Sequence, residues 1–208
     1  QELLGHADLA RHELDETSPL RRHLDAVIGG ATRAAELSQQ MLAYSGKGRF
    51  VIGLVQLGDL VDEMMPMLQA SVAKQMRLEL DLASDTGPVE ADLTQLRQIL
   101  MNLVINASEA MDEAAGRITV STGRFVGDPA AEPDSVLQEP LPATEYAFVR
   151  VADDGPGMDP ATRARVFEPF FSTKFAGRGL GLAAVLGIVR GHRGALSLSS
   201  EPGRGTTF

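Results

Sequence analysis

Two asparagines one helical turn apart, Asn102 and Asn106, are the first residues whose types and spacing could do chemistry. They lie in "ADLTQLRQILMNLVINASEAMDEA", where Leu96, Ile99, Leu100, Leu103, Val104, Ala107 and Ala110 supply an apolar face of helical period. Gln95, Gln98, Asn102, Asn106, Glu109 and Glu113 follow at spacings of 3, 4, 4, 3 and 4 and form a polar stripe. Such a stripe is ordinarily a solvated face. Asparagine, however, prefers caps to helix interiors. Its carboxamide oxygen suits Mg²⁺, a cation that takes oxygen ligands and keeps waters.

Glycine turns supply the other candidates. "DDGPGM" (Asp153–Met158) follows an alternating strand. Two glycines around a proline turn the chain sharply and let a ligand approach the backbone. A carboxylate there, walled by apolar neighbours, could accept a hydrogen bond from an amine such as that of adenine. "GRGLGL" (Gly177–Leu182) runs straight into a helix, so exposed backbone N–H groups and the helix dipole favour an anion. It lacks the Gly-Lys-Ser/Thr ending of a P-loop, and no βαβ unit surrounds it. "VFEPFFSTK" (Val166–Lys174) reads either as an aromatic anchor or as the hinge of a lid carrying Lys174 and Arg178 toward phosphate oxygens. "EPGRGTTF" offers a second close backbone approach ahead of Thr206. Each motif alone has a plain structural reading.

The elements that must position these residues fall into two parts. In the first, Leu3, Ala7, Ala10 and Leu14, then Leu20, Leu24, Val27, Ala31, Ala34 and Met41, form a seam on two helices. Ser18 caps the second helix and Pro19 suits its first position. This hairpin, residues 1–46, buries one seam poorly alone, and a second copy would complete a four-helix bundle. "YSGKGRF" reads as a linker. Residues 47–208 then mix α and β: strands at "FVIGLVQL", "RLELDLA", "GRITVSTGRF" and "YAFVRVADDG", closing strands at "ALSLSS" and "GTTF", and helices at "LGDLVDEMMPMLQASVAK", the asparagine stretch and "GLAAVLGIVRGH". Pro66 is expected to bend its helix. "VGDPAAEPDSVLQEPLPA" reads as a surface loop.

Composition narrows the function. The 208 residues contain no cysteine, which excludes disulfides, thiolate zinc sites and cysteine nucleophiles. The net charge of −9 gives no positive field for nucleic acid. No apolar run approaches the ~18 residues of a membrane span, and no signal peptide opens the chain. The chain starts inside a helical pattern and stops just after "GTTF", which suggests a fragment of a longer protein.

Taken in order, the motifs resemble the ATP-binding domain of sensor histidine kinases, a family shared with gyrase, Hsp90 and MutL. The pieces are an N box "QLRQILMNLVINASEAM", a G1 box "DDGPG", an F box "FEPFF", a G2 box "GRGLGL" and a G3 box "GRGTTF", spread over about residues 50–208. The resemblance implies an α+β chain: the helical hairpin followed by an α/β sandwich with helices on one face of a mixed sheet. It implies ATP and Mg²⁺ as cofactors. Asn106 would coordinate the metal, with Glu109 nearby in the cofactor site. Asp153 would read the adenine amine, Gly155 and Gly157 would let the base pack close, and Thr206 would support base recognition. Lys174, Gly177, Arg178, Gly179, Leu180 and Gly181 would frame the triphosphate and its lid. The ATP-hydrolysing branch is expected to carry a glutamate four residues before the metal asparagine. Asn102 stands there, which favours a kinase over an ATPase. The expected activity is transfer of the ATP γ-phosphoryl to a histidine and on to the aspartate of a response-regulator receiver domain, in a cytoplasmic homodimer. A nucleotide-sensing module without catalysis is the alternative, and a gyrase-type ATPase is disfavoured.

The hairpin resembles the dimerisation and phosphoacceptor domain of the same family. Aligned on "LLGHADLA", its acceptor histidine falls before Gln1. His12, in "RHELDETSPL", then sits near the hairpin turn as a decoy. His6 and His23 read as surface or bundle-flank histidines, and His192 as a helix-ending residue whose place favours a cation.

Overall fold

The computed structural model describes residues 2–15, 18–31, 51–111, 115–128, 141–173 and 179–208. Helix α1 (Glu2–Glu13) and helix α2 (residues 20–31) form the predicted hairpin. Ser18 caps α2 as expected, its Oγ accepting Leu20 N–H at 3.4 Å and its carbonyl accepting Arg21 N–H at 3.1 Å. Ala7 is buried, whereas Leu20 and Val27 stand 57% and 56% exposed. Two helices leave part of an apolar seam in water. The Leu3 side chain, the seam beyond residue 31, the linker and the division at residue 46 lie outside the described residues, as does most of the loop after Val126.

Strand β1 (Ile52–Gln56) pairs antiparallel with β3 (Pro88–Asp92). Helix α3 (Leu57–Ser71) buries Leu57, Leu60, Val61, Met64 and Leu68, an amphipathic spacing, and runs on through Pro66. Strands β2 (Met76–Leu82), β4 (Gly116–Val126), β5 (Glu145–Asp153), β6 (Ser199–Ser200) and β7 (Thr206–Thr207) form a five-stranded sheet in the order β2-β4-β5-β7-β6. The β2–β4 pair is parallel and the others antiparallel, so the sheet is mixed. Helices α3, α4 (Leu93–Ala110) and α6 (Gly181–Gly191) cover one face. Between the layers lie Leu60, Leu68, Leu100, Ile118, Val151 and Val185, all almost fully buried. At roughly 1.5–3 kcal/mol for each such side chain, this core is what holds the two layers together. The fold is the expected sandwich.

Two elements differ from the sequence reading. The asparagine helix starts at Leu93, not Ala91, because residues 88–92 are strand β3. A short helix α5 (Pro160–Arg165) stands where no element was expected. Its start has the expected chemistry all the same: Asp159 caps it by accepting Thr162 N–H at 2.6 Å, and Pro160 opens it.

His192 ends α6 as the sequence suggests, and its ring reaches across to α4. Nε2 accepts Asp92 N–H at 2.9 Å, so the ring hydrogen is on Nδ1, which donates to Ile188 O at 2.8 Å. The Asp92 carboxylate in turn caps α4 through Thr94 N–H and Gln95 N–H and accepts Val51 N–H at 2.8 Å. One imidazole thus ties the end of α6 to the start of α4. Replacing His192 with Ala leaves a part-buried N–H unpaired. We expect a loss of about 1–3 kcal/mol in urea unfolding.

Candidate nucleotide site

The site is built where two glycine turns meet. Asp153 ends β5, and its Oδ1 accepts Gly155 N–H at 2.9 Å and Thr206 N–H at 3.2 Å. Oδ2 has no partner among the described residues and is the acceptor left for a ligand. Asp154 faces the other way: its Oδ1 accepts Arg117 N–H at 2.7 Å and locks the turn to β4. Successive side chains of a strand point to opposite sides. One aspartate can therefore serve the site while its neighbour anchors the loop.

The glycines have work beyond admitting a base. Gly157 (φ +67°) lies so close to the Glu201 carbonyl that a Cβ would stand 2.0 Å from it. Gly205 (φ +81°) lies equally close to the Asp153 carbonyl, at 1.9 Å. Gly203 N–H donates to Pro156 O at 2.7 Å, and Met158 N–H to Ser200 Oγ at 2.9 Å. The turns at 153–158 and 200–206 form one interlocked unit. Gly155 is different. A Cβ there would meet Asp153 Oδ1 at 2.8 Å and the Met111 side chain at 3.0 Å, so its bareness opens the ground beside the carboxylate. Met111, the C-cap of α4, was not singled out from sequence. It forms the apolar wall that the carboxylate turn needs.

Helix α4 then spaces the parts. Asn106 lies five residues before Met111 and Asn102 nine before it, about 7 and 13 Å along the axis. Both are half-buried and face the first turn of α6. The position of a Gly181 Cβ is 3.4 Å from Asn106 Nδ2 and 3.5 Å from Asn102 Oδ1. Neither asparagine makes a hydrogen bond among the described residues, and Asn102 Nδ2 is buried without a partner. At these two asparagines the polar stripe is therefore not a solvated face. Glu109, one turn on from Asn106, is exposed.

Leu180 buries its side chain and gives its carbonyl to Ala184 N–H, leaving only its own backbone N–H for a ligand. Gly179 (φ +62°) packs on the Phe170 and Phe171 backbone, and its carbonyl accepts Phe170 N–H at 2.8 Å. Phe170 itself has φ +67°, a strained value for a bulky residue. The aromatic box thereby fixes the glycine that leads into α6. Lys174, Gly177 and Arg178 lie outside the described residues.

Burial pushes the Asp153 carboxyl above its ordinary range. The N–H groups of Gly155 and Thr206 pull the other way, and the Asp154 charge adds to the rise. An acid whose pKa rises on folding favours the fold most when protonated. That contribution is present below the ordinary carboxylate range and is lost as pH rises through the raised value. Binding of an amine at Oδ2 would run oppositely, because only the ionised form keeps Oδ2 as a pure acceptor. Calorimetric titrations with ATP should show affinity falling on mild acidification, at a pH where ordinary carboxylates are still ionised, without loss of stability from this group.

A carboxylate beside an apolar wall and a glycine-led helix N-terminus thus flank the same helix, α4, within a few turns of each other. The chain belongs to the family of histidine kinase-, DNA gyrase B- and HSP90-like ATPases, which it matches over residues 91–208. It is 38% identical over 180 residues to the sensor kinase CckA of Brucella abortus (strain 2308), covering 86% of this chain and 19% of that protein. It is 31% identical over 202 residues to the sensory histidine kinase/phosphatase NtrB of Azospirillum brasilense, covering 96% and 48%. Full-length ShkA, solved in complex with AMPPNP, matches with a TM-score of 0.73 at 26% identity, over 99% of this chain and 41% of that one. The chain spans less than half the length of each of these relatives.

Proposed function

We propose that this chain is the ATP-binding catalytic core of a histidine protein kinase. The observation that carries the reading is the pair of unpartnered carboxamides, Asn102 and Asn106, set against the first turn of α6. Phosphates fit that turn through its free N–H groups and dipole. The polar groups of α4 facing it are neutral amides. Neither can take a proton from water at neutral pH, so this pair supplies no base for hydrolysis. The phosphoryl group then awaits a better nucleophile, and catalysis is positioning and charge neutralisation.

Asp153 would accept the adenine amine on Oδ2. Thr206 would hold Oδ1 in place by its backbone N–H. Gly179, Leu180 and Gly181 would offer backbone N–H groups to the phosphates. Lys174, Gly177 and Arg178 would complete the lid, and Glu109 would border the site.

The donor set suits Mg²⁺. Among the described residues no group of three or more His, Cys, Asp or Glu could hold a metal by itself. Asn106 offers one oxygen next to where phosphates would supply the others, and Mg²⁺ accepts few protein ligands. Bound there, Mg²⁺ would neutralise charge on the phosphate oxygens. Asn106→Ala should weaken nucleotide binding about 10- to 100-fold in Mg²⁺ and far less in excess EDTA. Equal losses in both conditions would remove Asn106 from the metal site.

In the reaction, the bond from the γ-phosphorus to the β–γ bridging oxygen breaks and ADP leaves, while a histidine nitrogen bonds the phosphorus. A response-regulator aspartate would then take the group. The partly exposed seam of α1 and α2, with Leu20 and Val27 on the surface, supports homodimerisation through a four-helix bundle. No helix among the described residues is long and apolar enough to cross a membrane. The core would work in the cytoplasm, where ATP and Mg²⁺ are supplied.

γ-Labelled ATP with Mg²⁺ tests the reading. This chain should gain no acid-labile label by itself, and should label a phosphoacceptor histidine hairpin supplied with it. Label on this chain that His12→Gln abolishes would make His12 the acceptor. Phosphate release without any label would make the protein an ATPase. Binding without either would leave a nucleotide sensor.

A further inference from the structure

A row of residues crosses β5, β7 and β6: Asp153 pairs with Thr206, and Thr206 with Ser200. Cross-strand partners present their side chains to one face. Here it is the helix-covered face, since the fully buried Ile118 continues the row on β4. Ser200 and Thr206 are both buried. Their hydroxyl oxygens are 3.0 Å apart. Ser200 Oγ also accepts Met158 N–H and lies 3.2 Å from the Gly205 carbonyl.

A hydroxyl has one hydrogen to give. If Ser200 gives its hydrogen to Gly205 O, Thr206 must donate to Ser200 and can show a ligand only lone pairs. If Ser200 gives it to Thr206 Oγ1, the nearer oxygen, Thr206 keeps its own hydrogen to donate. Thr206 already stands beside the base site through its N–H bond to Asp153 Oδ1.

We infer that Ser200 is a specificity-determining residue for the nucleobase: its hydroxyl hydrogen goes to Thr206 Oγ1 and so makes Thr206 a donor to the purine ring nitrogen next to the amine. This rests on the reading of Asp153 as the amine acceptor. An acceptor and a donor side by side match a 6-aminopurine. A 6-oxopurine shows a carbonyl and a ring N–H in those two places, so both contacts would be mispaired. Ser200 acts through Thr206 and is a positioning residue.

The test measures the affinities of three nucleotides by calorimetry. They are ATP, 1-deaza-ATP (the ring nitrogen replaced by C–H) and purine riboside triphosphate (no amine). The 208-residue chain should prefer ATP over 1-deaza-ATP by roughly tenfold, about one hydrogen bond. Ser200→Ala should bring that ratio to about twofold or less, while preference for ATP over the amine-less analogue persists. An undiminished ratio in Ser200→Ala, or no ratio in the parent chain, overturns the inference. Should Ser200→Ala fail to fold, Thr206→Val removes the same donor from the other end, and an undiminished ratio there is equally fatal. Loss of discrimination against the amine-less analogue in the parent chain would instead sink the Asp153 reading.

Discussion

Asparagine in place of Asp153 is expected to cost at least about a hundredfold in nucleotide affinity, close to 3 kcal/mol, with little change in melting temperature. The asymmetry between the two carboxylate oxygens is the reason. Oδ1 serves the fold, accepting Gly155 N–H and Thr206 N–H. An asparagine Oδ1 can still accept both. On the proposed reading Oδ2 would serve the ligand, and there the substitution would put a donor against the base amine. Two donors then face each other where one hydrogen bond was made. Asp153→Ala is the poorer experiment, since it also strands the two backbone N–H groups and mixes stability with binding. Calorimetry with AMPPNP, paired with a thermal melt, checks the prediction. Unchanged affinity in the asparagine variant would mean that the base is read elsewhere.

Gly205→Ala should be, with Gly157→Ala, among the most damaging single methyls at the described glycines. Its Cβ would stand 1.9 Å from the Asp153 carbonyl oxygen, inside bonded exclusion, and its backbone is already at φ +81°. Gly203 provides a control two residues away. It has a similar φ, +76°, but nothing lies within 4 Å of its Cβ position. Gly203→Ala should cost only the backbone penalty, about 1–2 kcal/mol. Gly205→Ala should cost about 3–5 kcal/mol, because β7 must also withdraw from β5. At roughly 2–4 °C per kcal/mol for a domain of this size, the two melts separate clearly. Equal melts would show that the interlock of the turns is slack.

What could be read from the sequence follows from how local each signal is. Asp153, Gly155 and Gly157 lie within five residues, so their carboxylate turn was legible from the string. Asn102 and Asn106 were legible through helical period, though their burial was not: it depends on Gly181, 75 residues later than Asn106. β3 was missed because Pro88, Glu90 and Asp92 give it a polar look, and its pairing with β1 spans about forty residues. His192 was legible as a helix end, but its acceptor role was not, because it comes from an N–H 100 positions away. Ser200 is one serine in "ALSLSS" until the register sets it beside Thr206. Sequence spells the motifs; the partners that give a group its protonation and hydrogen-bond direction come from topology.

The place of β7 has a consequence for biosynthesis. The strand order puts Thr206 and Thr207 in the interior of the sheet, between β5 and β6, and Phe208 exchanges both of its backbone bonds with Val151 at 2.9 Å. Chains are made from the N-terminus at about 5–20 residues per second. Asparagine helix, carboxylate turn and aromatic box all leave the ribosome before the strand that closes the base site. A nascent chain halted ahead of Gly203 would carry Asp153 with one of its two backbone donors missing and the sheet open between β5 and β6. Nucleotide capture therefore waits on β7, whose Thr206 is made 53 residues after the Asp153 it must meet.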